Sequence, residues 1–448
     1  MIIRHLPRFR KDARLLKSFE ERESWARSDI EAMQLERLNG LWASATKDTT
    51  HYRSLRSEHD LPDHFESLDH FRNTVPVLNK QLVRDNPAAF LSDQAEPGSW
   101  HRTGGSTGTP MGVYWSKDSH LEMLRCKYRH DQMFGLDIFD RKVVLWGHGN
   151  SFAPGIRGLI AKAIRPFEDR LRNRLRLSAY DMGADDLKRH LRDMVRFQPK
   201  SMYGYSSAVY LLAAMAAETD FVCPSLRMIT MSAEPAFPHF IKAVESTFQI
   251  PALVEYGAVE CGIIAHEFPD RKLRVREDVT MVETHSRDDG NYDIVVTVLN
   301  NPSFPLLRYR IEDVVDRRLE FPDRGFAVMG NVMGRANDFV RSREGRLVHP
   351  HAVKHIMDFA HVRRFHAHQD CQGTLSVQLE AVQGLNDDEV KRMNRKLTEL
   401  LGGYPSSIQV VDTIPPSSAG KHRWVVSDMD FTNATEAAEP ISEISQST

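Results

Sequence analysis

Cysteine is scarce in this chain, and its scarcity is the first constraint. Four cysteines in 448 residues, Cys126, Cys223, Cys261 and Cys371, stand too far apart for a paired-cysteine metal site or a dense disulfide framework. A reducing cytoplasm suits such a chain. Long apolar runs are missing too. No stretch has the length needed to span a bilayer. The start mixes Ile2, Ile3 and Leu6 with Arg4, Arg8, Arg10, Lys11 and Arg14, and lacks the apolar core of a signal peptide. It reads as a solvated helix packing one face on the body. Nor is one charge in excess: 59 Lys and Arg face 61 Asp and Glu, which removes the electrostatic case for nucleic acid or an anionic membrane. The expected partners are small molecules or other proteins.

What is present is enough chain for a large domain and at least one smaller one. Ser28 to Trp42 predicts a helix, with Ser28 and Glu31 at capping-box spacing and Ile30, Leu38, Leu41 and Trp42 on one stripe. Val143 to Trp146 and Leu226 to Met231 read as strands, and Ala208 to Ala217 as a buried helix, so the middle of the chain alternates as an α/β core does. Tyr292 to Leu299 opens a strand-dense stretch running to about Met329. A boundary near Gly334 follows. Beyond it come a strand at Leu375 to Leu379, a helix after the capping pair Asn386 and Glu389, and a strand at Ile408 to Val411. The expected fold class is α/β, a large amino-terminal domain of helix-covered β-sheets (1–333), a hinge (334–338) and a small, separately moving α+β domain (339–430). Residues 431–448, rich in Ser, Thr, Glu and Ala, read as a disordered tail.

The run from His101 to Pro110 holds Thr103, Gly104, Gly105, Ser106, Thr107, Gly108 and Thr109. Glycines let backbone amides approach an anion, and hydroxyls add donors to phosphate oxygens. No Lys-Ser or Lys-Thr follows Gly108, so this is not the lysine-bearing P-loop. Taken alone, the loop is as readily a flexible turn as a phosphate cradle.

A Thr/Ser/Gly loop ending in Gly-Thr-Pro resembles the phosphate loop of the adenylate-forming superfamily, which includes acyl-CoA synthetases, luciferases and peptide-synthetase adenylation domains. Four further stretches follow in that superfamily's order. Ser232-Ala-Glu-Pro235 resembles a Gly-Glu-Pro segment lining the adenine pocket, with Ala233 in place of the glycine and Glu234 and Pro235 as expected. Tyr256-Gly-Ala-Val-Glu260 is similar to the Tyr-Gly-x-x-Glu element, which implies that Tyr256 and Gly257 border adenine and that Glu260 holds the magnesium carried by ATP. Read alone, the pair is a strand-end turn and Glu260 a solvated carboxylate. Arg308 to Asp313 resembles the Tyr-Arg-x-x-Asp element, which implies that Asp313 accepts both ribose hydroxyls; read alone it is a charged strand end pairing Arg310 with Asp313. Gly334 to Asp338 resembles the hinge, with Arg335 near the nucleotide and Asn337 where an aspartate is usual. Pro415 to Arg423 resembles the carboxy-terminal Gly-Lys loop, which implies that Lys421 bridges the substrate carboxylate and the α-phosphate.

Within the superfamily the phenylacetate-CoA ligase branch is the nearer likeness, through His51-Tyr52-Arg53, Phe71, Val75-Pro76-Val77 and Lys80. The resemblance implies ATP and Mg2+, a carboxylic acid, and CoA as acceptor; an amine acceptor, as in polysaccharide or natural-product pathways, stays open, as does a non-catalytic binding protein on the same fold. It fixes neither the acid nor the oligomeric state, a homodimer included. Trp146, His148 and Tyr205 are candidates for the acyl pocket, with core residues the equal alternative. Cys261 with His266 falls short of a four-ligand set, so zinc is not expected. Arg165, Arg170, Arg172, Arg174 and Arg176 read as a solvated basic helix face.

Overall fold

The computed structural model describes residues 16–103, 111–146, 169–170, 172–179, 184–219, 221–234, 236–287, 290–332, 340–344, 347–348, 350–357, 362–381, 385–412, 414 and 425–429. Gly104 to Pro110, His148, Arg165, Pro235, the hinge positions Gly334 to Asp338, Lys421 and the tail lie outside them. The chain divides into a larger unit, Met1–Gly104 with Pro110–Gly334, and a smaller one containing Arg335–Thr448.

In the larger unit residues 16–22 are helical, and after them come α1 (Arg27–Asp48), α2 (Thr50–His59), α3 (Leu68–Thr74) and α4 (Lys80–Asp85). Ile30, Leu38, Leu41 and Trp42 of α1 are buried, as their spacing predicts. The start differs. The N-cap is Ala26, without a side-chain cap, because the backbone of Arg27 bonds Asp323 and Ala26 bridges Arg324. Ser28 therefore lies inside the first turn, and Glu31 pairs with Arg27 at 3.2 Å instead of closing a capping box. Thr49, Ser67 and Asn79 cap the next three helices with their side chains.

A hairpin of β1 (Gly98–Arg102) and β2 (Gly112–Ser116) leads into α5 (Lys117–Met133), which Ser116 caps. There follow β3 (Lys142–Trp146), β4 (Arg174–Ser178), α6 (Ala184–Phe197), β5 (Ser201–Tyr205), α7 (Ser206–Glu218), β6 (Met228–Ser232), α8 (Pro238–Phe248), β7 (Ala252–Ala258), β8 (Gly262–Glu267) and β9 (Leu273–Val275). These strands form one sheet in the order β4-β3-β5-β6-β7-β8-β9, parallel through β7 and antiparallel beyond. Arg174 and Arg176 thus lie on a strand, each 2.9 Å from Asp169, and not on a helix face: the alternation Arg-Leu-Arg-Leu buries Leu177. A second sheet, β10 (Thr280–Ser286), β11 (Tyr292–Val298) and β12 (Tyr309–Val315), is antiparallel.

In register, Val143, Leu145, Leu177, Met202, Ile229, Met231 and Ala252 share one face of the large sheet. They form one apolar core with residues of α6, α7 and α8, among them Leu191, Leu212 and Phe240. The other face carries Arg176, Trp146, Tyr203, Tyr205, Ser232, Glu255 and His266, and α5 reaches it.

The smaller unit pairs β13 (Val340–Arg341) with β14 (Leu347–Val348), then runs through α9 (Pro350–Met357), β15 (Val362–Gln369), β16 (Leu375–Ala381), α10 (Asp387–Leu400), β17 (Ser406–Val411) and β18 (Val425–Ser427). Its four-stranded sheet has the order β17-β16-β15-β18. Both halves of the Asn386 and Glu389 capping box form at α10, which buries Met393 and Leu397. Among the described residues no helix is long and apolar enough to cross a membrane.

Candidate active site

Two clusters lie on the larger unit. The first surrounds the turn from β7 to β8. At Tyr256 and Gly257 the pairing of these strands slips by one residue, and a Cβ on Gly257 would collide with the carbonyl oxygen of Gly262, so glycine is required by the close approach. The slip shortens the turn to Val259, Glu260 and Cys261. Trp115 of β2 donates its indole N–H to the Val259 carbonyl at 2.9 Å, tying the turn to the strand that follows the Gly/Thr loop.

Glu260 turns inward, 5% exposed, and its Oε1 accepts from Lys80 Nζ and from the Tyr309 hydroxyl, each at 3.1 Å. It is therefore no solvated carboxylate. Lys80 reaches it because Leu78 lies along the start of β12, bonding the carbonyl of Arg308 at 2.8 Å and the amide of Arg310 at 3.0 Å. Burial and the neighbouring Glu260 charge hold the Tyr309 phenol far above its ordinary value, so it stays a donor.

Asp313 sits on a bulge. Between the pairs Asp293 with Val314 and Val295 with Arg310, three residues of β12, Ile311 to Asp313, stand against Ile294 alone. Glu312 takes a left-handed φ of 72° to make the bend. The Tyr256 hydroxyl donates to Asp313 Oδ2 at 3.0 Å, and Arg310 reaches toward Asp293 at 3.8 Å. Burial first, then Asp313, raises the Tyr256 phenol well above its usual value.

Thr103 closes the base of the loop 104–110: its N–H donates to the Met111 carbonyl and its Oγ1 accepts from the Met111 amide, both at 3.0 Å. The Tyr309 hydroxyl lies 4.0 Å from Met111 Sδ, which joins that base to Glu260. Ala233, just after β6, has φ of 66°, a left-handed position where glycine is the unstrained residue. The adjacent Glu234 carbonyl accepts from Ser206 at the start of α7, at 3.0 Å.

The second cluster lies on the polar face of the large sheet. Trp146 and Tyr205 end β3 and β5, their rings 4.1 Å apart and inclined at 34°, and Tyr203 stacks on Trp146 at 5.3 Å and 13°. In the order β4-β3-β5 the chain leaves β3 to one side and returns on the other, and at such a switch point open parallel sheets receive ligands beyond the strands' carboxyl ends. Behind the rings is a buried hub. Glu255 accepts from the hydroxyls of Tyr203 at 2.6 Å and Ser232 at 3.2 Å and from His266 Nε2 at 3.0 Å, and lies 3.3 Å from Lys127 Nζ.

Burial would raise the Glu255 carboxyl, but Lys127 and His266 outweigh it and hold it well below its usual value. Burial lowers Lys127 to about 8 against the pull of Glu255. His266 and His130, stacked at 4.3 Å, are both shifted down by burial, so each neutral ring donates its Nε2 proton, His266 to Glu255 and His130 to the Glu267 carbonyl at 2.8 Å. Burial likewise pushes the Cys261 thiol well above its usual value. Among the described residues no group of three or more His, Cys, Asp or Glu could hold a metal ion.

Sequence reasoning placed Lys80 and Tyr309 in motifs without seeing them as the partners of Glu260, and missed Lys127, Tyr203 and Glu255 altogether. The last two left a trace: Tyr203 precedes Tyr205 by two in a strand-like run, and Glu255 interrupts the apolar run before Tyr256.

No family model matches the chain. Protein CapK of Staphylococcus aureus is 22% identical over 329 residues, 72% of this chain and 71% of that protein. Among solved structures, 2-hydroxyisobutyryl-CoA ligase in complex with 2-HIB-AMP and CoA aligns with a TM-score of 0.61 and 18% identity over 92% of each chain. The same ligase in the postadenylation state with 2-HIB-AMP gives 0.59 and 17%, again over 92% of each. The likeness establishes the fold, that of adenylate-forming enzymes: a large α/β domain with helix-flanked sheets and a smaller α+β domain.

Proposed function

We propose that this chain belongs to the adenylate-forming superfamily and uses ATP to activate a carboxylic acid as an acyl-adenylate, releasing pyrophosphate. The observation that carries the proposal is the gathering of Tyr256 with Asp313, and of Glu260 with Lys80 and Tyr309, around the residues that close the Gly/Thr loop. A carboxylate beside a buried tyrosine suits a ribose diol and an adenine edge. Glu260 supplies the hard oxygen that the magnesium of an ATP complex prefers, and Lys80 beside it supplies charge for phosphate. Bound there, the ion would neutralise the departing pyrophosphate.

Thr103 to Thr109 would hold the phosphates, Ala233 to Pro235 the adenine, and Arg335 the nucleotide. Lys421 is assigned the developing charge at the α-phosphate. Motion about Asn337 would then open the second half-reaction. The acceptor is assigned to CoA, in line with the resemblance to the phenylacetate-CoA ligase branch; an amine is the second reading.

Acid-dependent exchange of labelled pyrophosphate into ATP tests the first step, and no exchange with any acid would sink it. Lys421→Ala is expected to slow exchange about 100-fold or more. Mass spectrometry after adding CoA or an amine separates the two acceptors.

A further inference from the structure

We propose that the larger unit carries a second ligand site, a groove between α1 and the start of α5 that takes an aliphatic ammonium, either a free amine or the side chain of a lysine. The site is independent of adenylation. None of its lining residues belongs to the two clusters described above.

The groove encloses about 840 Å³, within the range of small-molecule sites. Gly40 of α1 lines it, in the interior of a long helix where glycine is a poorer helix former than alanine. Packing does not ask for that glycine. A Cβ at Gly40 would meet nothing within 4 Å and would take up space in the groove, so its absence leaves the backbone of α1 open to a ligand. Asn300, just after β11, borders the same space and is only 8% exposed. Its Nδ2 donates to the Ser119 carbonyl at 3.4 Å, while its Oδ1 accepts nothing among the described residues. A buried amide oxygen without a donor is costly, and a donor brought by a ligand would relieve it.

The charge of that ligand follows from the lining. Glu96 and Asp118 are exposed, and among the described residues neither side chain has a partner. Both are fixed through the backbone. The Glu96 carbonyl accepts from the Tyr114 hydroxyl at 2.9 Å and its amide donates to Ser303 Oγ at 3.1 Å, and Asp118 stands in the first turn of α5, which Ser116 caps. Glu122 is already met by Arg37 at 3.3 Å. With Arg125, the described lining holds three carboxylates against two guanidiniums, a surplus of one negative charge. The groove therefore suits a cation that carries N–H donors. A metal ion is the wrong cation, because among the described residues no group of three or more His, Cys, Asp or Glu could hold one. An ammonium donates three hydrogen bonds, and Leu41, Leu121 and Leu299 offer apolar surface to its carbon chain.

The test is calorimetric titration of the full chain at physiological salt with putrescine, spermidine and Nα-acetyl-lysine methylamide, and with 1,4-butanediol and succinate as neutral and anionic controls. At least one amine is expected to bind with a dissociation constant on the order of 0.1–1 mM, as two exposed ion pairs and a short carbon chain support, and at least about ten-fold tighter than either control. Replacing both rim carboxylates, Glu96→Gln with Asp118→Asn, lowers that affinity about ten-fold or more. Gly40→Leu, which fills the groove from an exposed helix position, lowers it at least as far. Asp387→Asn with Asp388→Asn, on the exposed first turn of α10, leaves it unchanged.

Binding of the free amines without the lysine derivative supports the site and identifies a metabolite as its ligand; the reverse supports it and identifies a lysine of a partner protein. No binding of any amine, a control bound as tightly as the amines, an unchanged affinity in either groove variant, or an equal loss on replacing Asp387 and Asp388 overturns the proposal.

Discussion

The two faces of the seven-stranded sheet are built from alternate residues of the same strands and do opposite things. Toward α6, α7 and α8 the strands present Val143, Leu145, Met202, Ile229 and Met231, all buried. Each such side chain contributes about 1.5–3 kcal/mol by leaving water. Toward α5 the same strands present Tyr203, Ser232, Glu255 and His266, met by Lys127 and His130. Sheets covered on both faces usually carry apolar residues on both, and a buried ion pair seldom stabilises more than the apolar side chains it displaces. The first face therefore accounts for folding. The second is what a ligand site at the strand ends would require.

Substitutions can break this contrast. Glu255→Ala removes the acceptor of four donors and strands Lys127, and is expected to lower stability by about 3–5 kcal/mol in chemical denaturation, while also slowing acid-dependent pyrophosphate exchange by the folded fraction. Leu145→Ala on the opposite face leaves a cavity and is expected to lower stability by about 2–5 kcal/mol. There the folded fraction should keep its wild-type exchange rate. Equal loss of exchange in both would erase the distinction between the faces.

The contrast is sharpened by pH. Folding lowers Lys127 from 10.5 to about 8, so between those values the unfolded chain binds more protons than the folded one. The cost of burying the charged amine is fully present below about pH 8 and lifts as pH rises toward 10.5. The stability of the wild type relative to Lys127→Met should therefore rise across that window, and a flat difference would mean that the amine is as well solvated folded as unfolded. The smallest effect belongs to the strained turn after β6. Ala233→Gly removes a Cβ from a left-handed position and is expected to stabilise by about 1 kcal/mol, read by denaturation, whereas a loss there would show the φ of 66° to be unstrained.

Periodicity found the elements that depend on local pattern. The α1 stripe, the Val143 to Trp146 strand, the α7 helix and the Asn386 cap all follow from residues close in sequence. The start of α1 was misread because a partner about three hundred residues away, Asp323, takes the role that a local cap would have had. Arg174 and Arg176 looked helical because their charge hid an alternating strand. Motif spacing singled out Tyr256, Glu260 and Asp313, but not what holds them. Lys80 comes to Glu260 through a backbone pairing of Leu78 with β12, and Asp313 is aimed by a bulge, neither of which a linear pattern encodes. Lys127 had no signal at all, since a lysine on an amphipathic helix reads as solvated until the opposing strand shows a glutamate.

The central claim, activation of a carboxylate through its adenylate, is tested most directly by resolving the nucleotide products of ATP incubated with a panel of aliphatic, hydroxylated and aromatic carboxylic acids. Acid-dependent AMP and pyrophosphate in equal amounts, with an acyl-AMP detectable by mass spectrometry before any acceptor is added, is the predicted result; acid-dependent ADP and phosphate, or no nucleotide turnover with these acids or any other, would contradict it.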